Sequence, residues 1–100
     1  MDFFIRCKVY PGQFSNEYAV SGVQADGSRF SLFAPETFVE PDERVTRDRS
    51  VDGWLKVGIW EQQGDRAVVK LPRESLEVGR YVTIRADQFR TWPQPAEVRP

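Results

Sequence analysis

The stretch from Trp54 to Pro72 constrains the fold of this chain more than any other, because its apolar residues recur at every second position. The two apolar sets are Leu55, Val57 and Ile59 in the first half and Ala67, Val69 and Leu71 in the second. A period of two places such residues on one face of a β-strand. The stretch therefore predicts a β-hairpin with one buried face, in which each large apolar side chain contributes roughly 1.5–3 kcal/mol if fully buried.

The numbering of these two sets also predicts the turn between them. Both sets occupy odd positions, and residues opposite each other in an antiparallel pair lie on the same face. A two-residue loop would pair odd with even positions, whereas a three-residue loop pairs odd with odd. We therefore predict that residues 62–64 form the loop, with Gly64 left-handed, as a type I turn followed by a glycine bulge. This register places Ile59 opposite Ala67.

A second, similar hairpin is predicted earlier in the chain, around Ala25–Gly27. An Asp-Gly pair is typical of two-residue loops, but the apolar residues predicted to face inward are all even-numbered: Tyr18, Val20, Phe30, Leu32 and Ala34. They share a face only if the loop has three residues and ends at Gly27. Val20 then lies opposite Leu32, and Gly22 lies opposite Phe30, where the absent side chain leaves room for a large ring.

Alternation also predicts a first strand from Asp2 to Tyr10 and a closing strand from Arg80 to Ala86, while Phe14 and Leu76 are expected to pack inward. Between the two hairpins, residues 35–53 are predicted to form a long charged loop, because prolines and charges interrupt the pattern. No helix of ordinary length is expected. Short strands with regularly spaced turns favour an all-β fold, and we predict a small six-stranded antiparallel barrel in the size range of OB and SH3-like domains.

Composition limits the domain organisation and the compartment. The 100 residues are 40% hydrophobic and 29% charged, with a net charge of −1, which is ordinary for one globular domain. We expect a single domain over residues 1–90 and a proline-rich flexible tail over 91–100. No apolar run approaches the 18 or so residues of a membrane span, so no membrane association is expected. The single Cys7 cannot form an internal disulfide, and a reducing cytoplasm is the default expectation.

Several kinds of chemistry are absent from the sequence. There is no histidine and only one cysteine, so ordinary zinc sites are excluded and the commonest general base is missing. No glycine-rich phosphate loop and no nucleophile elbow occurs. We therefore expect a non-enzymatic protein that requires no metal and no cofactor.

The first candidate site is the outer face of the central hairpin. By the same parity, this face carries Trp54, Lys56, Trp60, Arg66, Val68 and Lys70, with Trp60 directly across from Arg66. Tryptophan and arginine are typical anchors of protein interfaces, so the face could bind a protein partner or a second copy of the chain. Two alternatives stay open: Phe89 and Trp92 of the tail could cover the tryptophans, or the face could hold single-stranded nucleic acid by stacking, which the net charge makes less favourable.

The second candidate site is the charged loop from Arg44 to Gly53. Its candidate ligand residues are Arg44, Arg47, Asp48, Arg49 and Ser50. The string DRSVDG at 48–53 resembles the D-x-S-x-x-G signature of PilZ domains, which are six-stranded barrels that bind cyclic-di-GMP. The resemblance implies that Asp48 and Ser50 contact guanine and that upstream arginines hold phosphates, although the R-x-x-x-R of that family is absent here. The alternatives are nucleotide or single-stranded nucleic-acid binding at this loop, or a solvated loop without a ligand.

Overall fold

The computed structural model describes residues 2–93 and is all-β, as predicted. Its strands are β1 (Phe3–Pro11), β2 (Glu17–Val23), β3 (Arg29–Pro35), β4 (Val39–Pro41), β5 (Val51–Gln63), β6 (Arg66–Ser75) and β7 (Gly79–Arg85). Two 3-10 turns, Glu36–Phe38 and Ala86–Gln88, follow β3 and β7. Six antiparallel strands in the order β3-β2-β1-β5-β6-β7 form one curled sheet, a partly closed barrel, and the short β4 lies beside β5.

Strand β5 connects the two halves of the barrel. Its first half pairs with β1, from Val51 opposite Val9 to Val57 opposite Phe3. The same part of β5 is flanked by β4 on its other edge. Its second half pairs with β6. The thirteen-residue length of β5 therefore lets one strand belong to both halves of the barrel.

The core lies on the concave side of the sheet and is built from the alternating residues that the sequence indicates. The central hairpin contributes Leu55, Val57, Ala67, Val69 and Leu71 to the core, all buried, while Ile59 is half-buried against it. Strand β1 contributes Ile5, Cys7 and Val9, and β7 contributes Val82 and Ile84. The predicted inner and outer faces of these strands are therefore confirmed.

The predicted three-residue loop of the central hairpin is wrong. Gln63 pairs with Arg66, so the loop is the two-residue Gly64-Asp65. Gly64 does have a positive φ of 62°, as predicted. Gly64 is the first of the two loop residues, and Asp65, like every other non-glycine residue between 2 and 93, does not have a positive φ. These signs match a type II′ hairpin turn.

A β-bulge at Trp60 restores the odd-with-odd pairing that the two-residue loop breaks. Glu61 pairs with Val68, and Ile59 pairs with Val69, so Trp60 is the extra residue between them. Ala67 consequently lies opposite Gln62 rather than opposite Ile59. Parity counts residues between paired positions, and an extra residue in the strand shifts that count just as an extra loop residue does.

The register predicted for the first hairpin is confirmed. Val20 pairs with Leu32, and Gly22 pairs with Phe30. The three-residue loop is closed by a 2.7 Å hydrogen bond from the Gln24 amide to the Ser28 carbonyl. Gly27 has a φ of 91°, a conformation that glycine adopts without steric cost.

Three expectations about the connections are wrong. Phe14 is 68% exposed and Leu76 is 73% exposed, so neither packs inward. Leu76 lies in the tight turn after β6, where its amide donates to the Ser31 carbonyl at 2.8 Å. The predicted loop at 35–53 contains β4 and the first residues of β5. Val39 and Val51 are buried in the core, and the strands that carry them are paired within the sheet.

Hydrogen bonds between opposite ends of the sheet cover its two edge strands. On β3, the Ser31 amide donates to a Glu77 carboxylate oxygen at 2.7 Å. On β7, the Thr83 carbonyl accepts from the Ala25 amide at 2.8 Å. These bonds occupy backbone groups that would otherwise be available for pairing with another chain. Between residues 2 and 93, no helix has the length and apolar character needed to cross a bilayer.

Candidate functional site

The bulge in β5 places Trp60 on the convex side of the sheet, where its side chain is 66% exposed. Its ring packs edge-on against Tyr81 of β7, with centroids 5.3 Å apart and planes at 63°. Tyr81 is itself exposed and lies opposite Lys70 of β6. We call the outer surface formed by Trp60, Arg66, Val68, Lys70 and Tyr81 the aromatic face.

A depression in the protein surface lies beside Trp60 and Tyr81. A shallow depression of about 210 Å³ is bordered by Glu61, Arg66, Val68 and Thr83. Among residues 2–93, the carboxylate oxygen nearest to the Arg66 side chain belongs to Asp65, at 3.9 Å. The aromatic face therefore combines an exposed ring on β5, another on β7 and two cationic side chains on β6, beside a shallow depression.

Trp54 lies elsewhere. It is half-buried and sits opposite Arg6 on one side and Glu40 on the other. The guanidinium carbons of Arg6 and Arg90 lie 4.7 and 5.4 Å from its ring centroid. Since a strand rises about 3.3 Å per residue, Trp54 and Trp60 are roughly 20 Å apart. The structure therefore does not bring the two tryptophans together.

The alternative in which Phe89 and Trp92 cover both tryptophans is wrong. Phe89 is buried in the core, and Trp92 packs edge-on against it, with centroids 4.9 Å apart. Trp60 stays exposed, and the groups stacked on Trp54 are arginines. Most of the predicted tail, residues 94–100, lies outside the described residues.

Lys56 and Arg66 have different surroundings from those predicted. The Lys56 ammonium lies 3.5 Å from an Asp2 carboxylate oxygen and 5.8 Å from the centre of the Phe38 ring, remote from the aromatic face. Arg66 pairs with Gln63 on one side, so the predicted pairing with Trp60 is wrong. The two-residue loop is the cause, because it places Gln63 opposite Arg66, and the bulge then leaves Trp60 without a directly opposite residue.

Most of the predicted ligand residues of the charged loop are exposed to solvent. Arg44, Arg47, Asp48 and Arg49 are exposed and Ser50 is half-buried. Within this loop, Arg49 pairs with Glu43 at 3.2 Å. The role of these residues in ligand binding stays a prediction.

The last two residues of the DRSVDG string have roles in the sheet. Asp52 accepts from the Lys8 ammonium at 2.6 Å, and this hydrogen bond lowers the pKa of Asp52. At Gly53, a Cβ atom would lie 2.7 Å from a Val9 methyl group and 2.9 Å from the Glu40 carbonyl oxygen. The packing of β5 between β1 and β4 therefore accounts for a glycine at this position.

Groups suited to metal binding or nucleophilic chemistry are sparse in the part of the chain that the structure describes. No group of three or more Cys, Asp or Glu side chains between residues 2 and 93 is arranged to hold a metal ion. Cys7 is only 5% exposed, and burial raises the pKa of its thiol to about 12. The thiol is therefore neutral near pH 7, in a form that is a poor nucleophile.

Sequence reasoning missed Tyr81 as a candidate site residue. The signal for its orientation was present, because Val82 and Ile84 point inward and their odd-numbered neighbours must then point outward. Its contact with Trp60 could not be found this way, since that contact depends on the bulge.

No protein-family model, curated protein or solved structure matches the chain. The resemblance to PilZ domains is accordingly confined to residues 48–53. Function is therefore inferred from the geometry of the aromatic face.

Proposed function

We propose that this chain is a non-enzymatic interaction module that binds another protein through the aromatic face. The observation that carries the proposal is the contact between Trp60 and Tyr81, two large side chains that are 66% and 44% exposed. Exposed aromatic residues that cluster, rather than occur singly, are typical of interaction sites.

The two rings are held by regular structure and not by a loop. Trp60 belongs to β5 and Tyr81 belongs to β7, with β6 hydrogen-bonded between these strands. Their edge-on contact at 5.3 Å restricts both side chains further. Little conformational entropy is then lost on binding, which favours affinity.

The charges on the aromatic face favour a partner with carboxylates. Arg66 and Lys70 project on either side of Val68 along β6. In a symmetric dimer through this face, these cations would lie against their own copies, which costs binding energy. We therefore propose a different protein as partner, one that presents an apolar side chain flanked by Asp or Glu.

Model peptides test this chemistry directly. We expect an extended peptide of alternating Leu and Glu to shift the indole signal of Trp60 and the amide signals of β5 to β7 in NMR spectra, in a saturable manner. A peptide of alternating Leu and Lys should bind at least about tenfold more weakly. Equal responses to both peptides would contradict the proposed partner chemistry.

The matched variants are Trp60→Ser with Tyr81→Ser, compared with Phe14→Ser. Phe14 is as exposed as Trp60 but lies in the connection between β1 and β2. We expect the double variant to remain folded and to lose peptide binding, while Phe14→Ser retains it. If the double variant binds normally, or if sedimentation shows a dimer that it abolishes, the proposed face or the proposed partner is wrong.

A further inference from the structure

The strands β1 and β2 separate from each other over part of their length. Their pairing extends from Pro11 opposite Tyr18 to Lys8 opposite Ser21 and ends there. Beyond this point, β1 continues along β5 and β2 continues along β3. A gap therefore opens between two strands that are adjacent in the sheet.

The segment after β7 enters this gap. Phe89 forms a bridge with Ile5, and the Arg90 amide donates to the Phe4 carbonyl at 3.0 Å. On the other side of the gap, the Gln88 side-chain amide donates to the Val23 carbonyl at 2.7 Å. The inserted segment thus donates hydrogen bonds to backbone carbonyls of both separated strands. These bonds keep β1 and β2 apart.

A groove of about 450 Å³ remains above the inserted segment. This volume is within the range of small-molecule sites. Cys7 and Gly22 line the groove, and both are buried positions of the sheet. Ser21 and Gln88 add polar groups to its walls, and Tyr10 and Val23 add partly exposed apolar surface.

The charges around the groove are predominantly positive. Its charged lining residues are Arg6, Lys8, Arg29 and Arg85 with Asp52 and Asp87. Arg6 also forms a 2.7 Å ion pair with Asp42, so four cations against three carboxylates leave an excess of one positive charge, in a chain whose net charge is −1. A local excess of this kind attracts a small anion by focusing the field in a concave site.

The cations of the groove differ in how fully they are neutralised. Lys8 is 2.6 Å from an Asp52 carboxylate oxygen, and Arg85 is 3.2 Å from Asp87. Among residues 2–93, Arg29 has no carboxylate oxygen within 4.0 Å. Arg29 is therefore the side chain best placed to pair with an incoming anion. It lies opposite Val23 in the β2–β3 pair, and both residues line the groove.

The groove has a cationic end and an aromatic end. Arg6, Lys8 and Tyr10 project outward at successive alternate positions of β1. Four residues of strand separate Arg6 from Tyr10, which corresponds to about 13 Å. The anionic group of a ligand could contact Arg29 and Arg85. An apolar or aromatic body on the same ligand could contact the Tyr10 ring.

We propose that this groove binds a small phosphate monoester with a planar organic body, of which a nucleoside monophosphate is the simplest example. A phosphate monoester carries nearly two negative charges at pH 7, so the local excess of positive charge attracts it. Arginine binds phosphate oxygens through two parallel hydrogen bonds, and a planar body can stack on tyrosine. The groove shares no residue with the aromatic face or with the candidate ligand residues at 44–50.

Three probes distinguish the parts of the ligand. We expect adenosine 5′-monophosphate to shift the amide signals of residues 6–8, 21–23 and 85–88 in a saturable NMR titration. Adenosine and inorganic phosphate should each bind at least about tenfold more weakly, since each lacks one half of the recognised chemistry. A short peptide of glutamates that binds as tightly as the nucleotide would overturn the assignment to phosphate.

Two variants locate the site. Arg29→Gln should weaken nucleotide binding at least about tenfold, because a hydrogen-bonded charge pair is lost. Ser21→Phe should abolish binding by filling the groove without changing any charge. The matched control is Arg47→Gln, which removes the same charge from the exposed loop.

The control variant should bind as the parent protein does. If Arg47→Gln weakens binding as much as Arg29→Gln, the attraction is nonspecific or the nucleotide lies at the loop, and the proposal is wrong. Unchanged affinity in both Arg29→Gln and Ser21→Phe, with amide spectra showing that both are folded, would also overturn it.

Discussion

Gly22 lies directly across from Phe30 in the β2–β3 pair, and the Phe30 ring occupies the space that a side chain at position 22 would need. A Cβ atom built at Gly22 would lie 2.6 Å from Cζ of Phe30. Phe30 is fully buried and cannot move outward without disturbing the core. The pair thus joins a small and a large residue, and the buried Phe30 ring fills the space over Gly22.

Gly22→Ala should therefore destabilise the fold, by about 1–3 kcal/mol, because overpacking a filled core forces side chains and backbone to shift. Chemical denaturation measures the change. The matched control is Gly58→Ala in β5, where a Cβ atom would meet only the Lys70 Cβ at 3.9 Å. That variant should be neutral or more stable by up to about 1 kcal/mol. Equal free energies of unfolding for the two variants would contradict this view of the pair.

The bond between Ser31 and Glu77 predicts a dependence on pH. The Glu77 carboxylate accepts from the Ser31 hydroxyl at 2.6 Å and from its amide at 2.7 Å, and the hydroxyl hydrogen bond is the main cause of a lowered pKa at Glu77. A carboxyl group whose pKa is lower in the folded state stabilises the fold above its unfolded pKa, about 4.3, and this contribution is lost as the pH falls further.

Carbon-detected NMR should show the Glu77 carboxyl titrating below the ordinary glutamate range. Ser31→Ala should move its pKa back up toward that range and reduce the extra stability seen above pH 4.3. A Glu77 titration that does not respond to Ser31→Ala would show that this bond does not hold β3 against the turn after β6.

Burial of Cys7 predicts low reactivity and sensitivity to alkali. Desolvation raises the pKa of the Cys7 thiol from 9.0 to about 12, so the folded state disfavours the thiolate. The contribution to stability is full below pH 9 and is lost as the pH rises toward 12. We expect a thiol reagent at pH 8 to modify Cys7 only as fast as the protein unfolds, and at once in denaturant. Rapid modification of the folded protein would contradict the buried position.

The sequence predicts the faces of the strands well, because each buried residue reports its own face through alternation. Leu55 and Val69 are buried as expected, and the Val20–Leu32 register is confirmed. The error at the central hairpin arose because alternation counts residues and cannot tell where an extra one is placed. A bulge at Trp60 and a longer loop give the same parity beyond the turn.

The sites could be predicted only in part, since they depend on how distant segments meet. Parity correctly turns Trp60 outward, but the separation of Trp54 from it follows from the length and pairing of β5. The groove beside Arg29 requires β1 and β2 to diverge and the segment at Gln88 to enter between them. Neither the divergence of β1 and β2 nor the entry of the Gln88 segment leaves a local pattern in the sequence. Both depend on backbone hydrogen bonds between residues that are far apart in the chain.

The two tryptophans of β5 should differ in what they contribute to stability. Trp54 is stacked by Arg6 at 4.7 Å and by Arg90 at 5.4 Å, so it links β5 to β1 and to the segment after β7. Two cation–π contacts of about 0.5–1 kcal/mol each, together with the half-buried ring, predict a loss of about 2–3 kcal/mol for Trp54→Ala. Trp60 contacts Tyr81 on an exposed face, and Trp60→Ala should cost about 1 kcal/mol or less.

Denaturant unfolding of both variants provides the comparison, with Trp54→Phe as the control that keeps an aromatic ring between the arginines. We expect Trp54→Phe to lie between the parent protein and Trp54→Ala. The binding experiments should give the opposite order, because Trp60 belongs to the aromatic face and Trp54 does not. A Trp60→Ala variant as unstable as Trp54→Ala would show that the exposed ring supports the fold, and that would remove the main reason for assigning it to a partner.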